Sequence, residues 1–340
     1  MVEPEDTPRH TPAVTATHAR RPQVGFVLVG LGALLFIVNA GVSRVLLRAG
    51  VDPAQLTTAR ITGTALCLLV FCLVARRPAL RPPAGRLRWL LVLHGLVGVA
   101  ALQWAYFVAI DRLPIGLALL LEYQAPLLVA LWARFVQGEH LRRRAWVGLG
   151  LALVGLAMAT GVLGGGLRWD VAGLLAGLAA AVCFATYFLV GEHGVAELDP
   201  LRVVLWSFGI AAVAMNLVTP VWQFPAGVVT SQVPLLGRLG EVPGLVAAPG
   251  ALLLAWVVVL GTLVPFGVEL AAMRHLSASV VTMVAMLEPV GVAVLGWAWF
   301  REDLGPVATV GYALVVGGIV AAQTGRAVVH EPETVPYVQA

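Results

Sequence analysis

Ten apolar runs follow one another along this chain, at about 24–47, 56–75, 87–109, 115–137, 145–163, 171–190, 202–222, 251–273, 277–300 and 306–324. A helix needs about 20 consecutive apolar residues to cross a bilayer core, and each run has roughly that reach. Composition agrees: 59% of the residues are apolar and 12% charged, with a mean hydropathy of +0.90. Soluble domains sit near 45–50% and about 25%. The sequence predicts an all-α polytopic membrane protein with ten transmembrane helices and little left for a soluble domain.

What lies outside the runs is short. Residues 1–23, with Pro4, Pro8 and Pro12, and the tail 326–340 lack apolar periodicity and read as disordered. Arg20-Arg21 before an apolar run could introduce a signal peptide. A run of more than 20 residues with nine more behind it favours an uncleaved first helix. All 22 basic residues are arginines, and most fall in loops on one side, among them Arg76, Arg77, Arg81, Arg86, Arg88, Arg142, Arg143 and Arg144. That bias predicts both termini in the cytoplasm and makes these loops determinants of topology, not nucleic-acid sites. The three cysteines, Cys67, Cys72 and Cys183, all lie inside runs and give neither a disulfide framework nor metal-ligand spacing.

The chain repeats itself. Leu113–Leu141 reappears 163 positions later as Leu276–Leu304, matching Leu113, Pro126, Glu139 and Leu141 to Leu276, Pro289, Glu302 and Leu304. The offset carries Gly148, Leu151 and Gly155 onto Gly311, Leu314 and Gly318, and a second match joins Asp52-Pro53 to Asp199-Pro200. Five helices per half is an odd number, so the halves at 24–163 and 170–325 must insert with opposite orientation. Such inverted repeats build many secondary transporters, with the site near mid-bilayer at the repeat interface. Gly164-Gly165-Gly166 is the expected hinge. The proline-rich stretch 223–249 is expected to be irregular, either filler or the cap of an outer vestibule. The glycine-rich fifth and tenth runs read as scaffold or as the contacts of a homodimer. Trp89, Trp146, Trp169, Trp222 and Tyr312 read as interfacial anchors.

Three acids stand inside the runs: Glu122, Glu269 and Glu288. Uncompensated, they would cost roughly 9 kcal/mol together, so each must be protonated, paired or wet. At about 1.5 Å per residue, Glu122 lies roughly 13 Å from the outer end of its helix and Glu288 roughly 18 Å from the inner end of its own, which puts both near one level. They become candidates for exchanging a proton against a substrate ammonium. Pro126 and Pro289 follow them at matched positions and are expected to break both helices there. Asn39, Gln103, Trp104, Tyr106, Tyr123, Gln124, Thr186 and Tyr187 cluster around that level as candidates to bind a polar solute. Glu269 has an alternative as a snorkelling residue. Arg60, expected in the first turn of its helix, is balanced between site and surface, and His94 between packing and proton relay.

The Glu288-Pro289 stretch, the following Arg301-Glu302 and the glycine-rich last run resemble the second domain of the drug/metabolite transporter superfamily, the EamA-type permeases. The run LPIGLALLLEYQAP, with Gly261-Thr262-Leu263-Val264-Pro265-Phe266 and Glu269, is similar to that superfamily's threonine and homoserine exporter branch. The likeness covers nearly all of 24–324; the long loop at 223–249 departs from the compact family plan. It implies an inner-membrane carrier moving amino acids or related metabolites outward, coupled to protons through Glu122, Glu269 and Glu288. A carrier of drugs or lipid-linked intermediates and a non-transporting sensor or scaffold remain as alternatives. No P-loop, His-Glu-x-x-His or Gly-x-Ser-x-Gly pattern is present, so no enzyme and no cofactor is expected.

Overall fold

The computed structural model of the chain describes residues 22–136, 138, 142–159, 170–243, 246–272, 275–276, 288–302 and 305–324. The expected hinge at 164–166 and the first part of the ninth run lie outside the described residues. Helices follow in the order α1 (Pro22–Arg48), α2 (Pro53–Ala75), α3 (Gly85–Arg112), α4 (Ile115–Phe135), α5 (Arg143–Ala159), α6 (Val171–Glu197) and α7 (Pro200–Val218). Then come α8, in the continuous pieces Gly250–Ala255, Trp256–Leu263 and Val264–Ala272, α9 (Glu288–Phe300) and α10 (Gly305–Thr324). Eight of them are long and apolar enough to cross a membrane; α5 and α9 are too short in their described extent. Large apolar side chains stand exposed on the flanks, Val27 at 70%, Val74 at 82% and Leu217 at 81%. Surface of that kind needs lipid, not water, as its solvent. The protein is a multi-pass membrane protein.

The matched Asp-Pro pairs are helix starts. Asp52 accepts the Ala54 N–H at 2.8 Å while Gln55 reaches back to the Asp52 N–H at 3.2 Å, and Pro53 takes the first helical position, where its missing N–H costs nothing. Asp199 caps α7 in the same way by accepting from the Leu201 N–H at 2.8 Å. This early start corrects the reading of Arg60. It lies two turns into α2 and is only 6% exposed, not in the first turn near the surface.

Packing follows a pattern of exchange between the halves. α1 packs on α8 as α6 packs on α3, α1 on α9 as α6 on α4, and α2 on α8 as α7 on α3. α2 with α7, α4 with α9 and α5 with α10 each pair across the halves. The last pair is the most intimate. A Cβ on Gly148 would stand 2.4 Å from the Gly318 carbonyl oxygen, and one on Gly311 would stand 2.6 Å from that of Gly155. An early residue of α5 meets a late one of α10 and the reverse, so these two helices run antiparallel. The glycine faces expected to serve as scaffold or dimer contact are thus used within the chain, where small residues let two backbones touch.

Two further expectations are corrected. The loop at 223–249 is not wholly irregular: Gln232–Pro234 pairs antiparallel with Ala247–Pro249. This hairpin is fastened to the end of α9, where Trp299 Nε1 donates to the Leu235 carbonyl at 2.9 Å and the Arg238 N–H to the Trp299 carbonyl at 2.8 Å. Tyr312 is no interfacial anchor; it is buried at 6% exposure against Gly116 of α4.

The α5–α10 seam makes a sharp comparison available. Gly148→Leu or Gly318→Leu would drive a side chain into backbone, and overpacking of that kind costs at least about 1–3 kcal/mol. Gly150→Leu and Gly317→Leu, whose Cβ positions meet nothing within 4 Å, are expected to be neutral. Thermal unfolding of the detergent-solubilised protein should separate the two pairs, and similar melting temperatures for all four would refute this account of the seam.

Candidate functional site

The site is built on a break in α4. Pro126 has no N–H to offer the Glu122 carbonyl four residues earlier. The helix closes at Glu122, passes through Tyr123 and Gln124, and restarts at Ala125. The Gln124 N–H turns to the Leu121 carbonyl at 3.0 Å, and its side-chain Nε2 donates to the Leu120 carbonyl at 3.0 Å, where the backbone N–H would otherwise have bonded. Gln124 therefore mends the helix, a correction of its expected part in holding a solute. In the second half, Glu288 and Pro289 are the first two described residues of α9, both buried at its start.

The break turns Glu122 and Tyr123 in different directions. The Tyr123 hydroxyl donates to Glu288 Oε2 at 2.6 Å, with both residues under 10% exposed. Oε2 of Glu122 is buried without a hydrogen-bond partner. Tyr106 of α3, itself buried, is within electrostatic reach of Arg60, Glu122 and Glu288, so the three groups lie in one region of the bundle.

Arg60 faces this centre from α2. Its Nε donates to Thr262 Oγ1 at 2.7 Å and Nη2 to the Gly261 carbonyl at 3.3 Å, while the guanidinium lies 5.4 Å from the centre of the Phe107 ring. Both acceptors belong to a π-helical segment of α8, Trp256–Leu263, in which the Thr262 hydroxyl donates to the Val257 carbonyl five residues back at 2.8 Å. α3 carries a π segment of the same length, His94–Ala101, and both its ends lie 162 positions before those of the other (94 and 256, 101 and 263). Such widened turns are rare and concentrate at functional sites. Each is closely approached from the opposite half. A Cβ on Gly261 would meet Asn39 Oδ1 at 1.9 Å, and one on Gly98 would meet the Tyr187 Cα at 3.1 Å.

Of the expected residues, the structure thus gathers Asn39, Arg60, Tyr106, Glu122, Tyr123 and Glu288 from five helices. Tyr187 is half-buried, with its ring 4.6 Å from that of buried His94, whose Nδ1 lies 2.8 Å from Ser207 Oγ. Trp104 stands apart, 40% exposed on α3. The side chain of Glu269 lies outside the described residues. Ser43 and Thr64, buried one turn beyond Asn39 and Arg60 with unpartnered hydroxyls, and Thr262 were not singled out from the sequence. The four-residue spacing that puts Ser43 and Thr64 on the faces of Asn39 and Arg60 was the available signal.

At one end of the bundle, helix ends from both halves are tied together. Arg44 of α1 donates to the carbonyls of Ile110, at 2.6 Å, and Leu113, and pairs with Glu302 at 3.5 Å. Glu302, just past α9, accepts the Ile115 N–H at the start of α4 at 3.1 and 3.2 Å. The Glu302 position, matched in the repeat, was not read as part of any contact.

A bundle of apolar helices, duplicated in packing and enclosing charged groups at a helix break, defines a membrane transporter. The chain matches the EamA-like transporter family twice, over residues 23–161 and 171–323, and belongs to that family, which places it in the drug/metabolite transporter superfamily. Among its relatives, the threonine/homoserine exporter RhtA of Escherichia coli strain K12 is 26% identical over 67% of this chain and 68% of its own. The aromatic amino acid exporter YddG of Ancylobacter novellus is 32% identical over 31% of this chain and 38% of its own. The uncharacterized inner membrane transporter YedA of Escherichia coli K12 is 23% identical over 91% and 92%. A protein of known crystal structure, 21% identical, superposes with a TM-score of 0.55 over 88% of this chain and 95% of its own, a likeness of fold alone.

Burial holds the Glu302 carboxyl above the ordinary glutamate range, an effect that Arg44 and the Ile115 N–H oppose without cancelling. An acid raised in the folded seam binds its proton more tightly there than in water. The seam gains stability from protonation and loses it as pH rises through the raised value. Thermal unfolding of wild type and Glu302→Gln in detergent should therefore diverge across the range above the ordinary glutamate value, wild type losing ground to the variant as pH rises. Parallel pH curves would contradict this.

Proposed function

We propose that this protein is an inner-membrane exporter of amino acids or related small metabolites, driven by protons and working by alternating access. Ten transmembrane helices, as inverted repeats at 24–163 and 170–325 with both termini in the cytoplasm, form the scaffold. The antiparallel α5–α10 pair and the exchange of contacts between halves support that arrangement. The observation that carries the functional reading is the buried, unpartnered carboxylate oxygen of Glu122 at the α4 break. Leaving a buried acceptor unsatisfied costs about 1–3 kcal/mol. A proton or a substrate ammonium would each relieve that cost, and alternation between them is coupling. Glu288, held by Tyr123, is the second acid of the exchange, and Glu269 the third candidate. One proton moving down about 100 mV yields about 2.3 kcal/mol, enough for roughly a fifty-fold gradient. Asn39, Tyr106 and Tyr187 complete the lining; Pro126 and Pro289 are the breaks about which the repeats rock.

Counterflow of labelled amino acids into proteoliposomes tests the substrate class, with homoserine, threonine and the aromatic amino acids as the first panel. Uptake is expected for at least one of them and to be accelerated by an imposed pH gradient. In Glu122→Gln the acceleration should vanish while counterflow, which needs no net proton movement, persists in part. Full proton-driven transport by that variant would remove Glu122 from the coupling role.

A further inference from the structure

We propose that Arg60 is the seat of a carboxylate on the transported molecule and that, with Glu122, it makes the site select zwitterions over amines or acids carrying one charge. This rests on the proposed function and deepens it by naming the groups that recognise the substrate.

Arg60 is 6% exposed, and among the described residues it makes no ion pair. The ion pairs there are Arg44 with Glu302, Arg112 with Asp170 and Arg301 with Glu241, all at helix ends or in the loop. A guanidinium taken out of water and left unpaired is costly, and the usual compensation is a carboxylate. Glu122 is within electrostatic reach of Arg60, yet the two do not meet. Two opposite charges held apart at the centre of a bundle, one with an empty acceptor oxygen, are complementary to a molecule that bears both.

The stereochemistry of Arg60 fits that role. A guanidinium has five N–H donors. Thr262 Oγ1 and the Gly261 carbonyl take only Nε and one hydrogen of Nη2, so the planar fork is held in place with donors left for a second planar acceptor. The π turn matters here, because the Thr262 hydroxyl spends its own hydrogen on the Val257 carbonyl and must meet Arg60 as an acceptor. The Phe107 face covers one side of the guanidinium, a contact that tolerates the charge without neutralising it. Asn39 Oδ1, pressed on Gly261, and Gln103 Oε1 are buried acceptors with no partner. They suit a hydroxyl or ammonium hydrogen on the same molecule.

The test uses the full-length protein in proteoliposomes, with labelled L-threonine in counterflow and three unlabelled competitors: L-threonine, L-threoninol, which lacks the carboxylate, and 3-hydroxybutyrate, which lacks the amine. L-Threonine is expected to compete at least about tenfold better than either single-charge analogue, since a site built for a charged group rejects ligands without it. Arg60→Gln should weaken L-threonine by a similar factor and bring L-threoninol level with it, while Arg60→Lys, which keeps the charge and loses the fork, should recover part of the preference. Equal competition by L-threonine and L-threoninol in wild type would overturn the assignment even if Arg60→Gln failed to fold. So would an Arg60→Gln protein that still discriminates. If wild-type liposomes exchange none of the amino acid panel, the proposed function falls first and this assignment with it; if they exchange threonine without discriminating, only Arg60 is misassigned.

Discussion

Lipid offers no hydrogen bonds, and nearly every feature of this molecule answers to that fact. Backbone groups must be satisfied within helices, which makes the chain a bundle. Where a helix is interrupted, as at Pro126, a side chain takes over: Gln124 bonds the Leu120 carbonyl that the local backbone leaves behind. Helix ends follow the same rule. Asp52 and Asp199 cap α2 and α7, and Glu302, from beyond α9, bonds the first N–H of α4.

Against that background, the unsatisfied groups stand out by position. Among the described residues, buried side-chain atoms without a hydrogen-bond partner include Glu122 Oε2, within electrostatic reach of Arg60, and Asn39 Oδ1, beside the Gly261 whose carbonyl Arg60 bonds. A packing role alone would favour apolar residues in these places, because each unsatisfied group lowers stability and lipid cannot compensate.

Attraction between apolar helices is weak in an apolar solvent, so their association depends on close fit. The α5–α10 seam supplies it through glycines that bring backbone to backbone, and it joins the two halves away from the polar centre. The Arg44–Glu302 contact ties the halves again at the helix ends, and the hairpin after α7 is fastened to α9 within the second half.

The helical membrane character and the duplication were legible because both are one-dimensional: bilayer thickness imposes run length, and duplication leaves a constant offset. Glu122, Glu288 and the prolines were legible for a related reason, since an acid or a helix breaker in an apolar run is conspicuous wherever it points. Direction is what the string of residues lacks. Trp104 and Tyr106 are two positions apart, and only packing decides that one is 40% exposed and the other buried. Tyr312 looked like an anchor and lies in the core; Gln124 looked like a ligand contact and repairs a helix. Arg60 was misplaced because a helix start depends on the cap at Asp52, not on where hydrophobicity begins. By itself, then, the sequence determined a duplicated helical membrane bundle with acids inside its apolar runs. The tertiary structure alone decided which polar groups meet, because meeting depends on helix rotation, on π turns with no compositional signature, and on contacts such as Arg60 with Thr262 that span two hundred residues of chain.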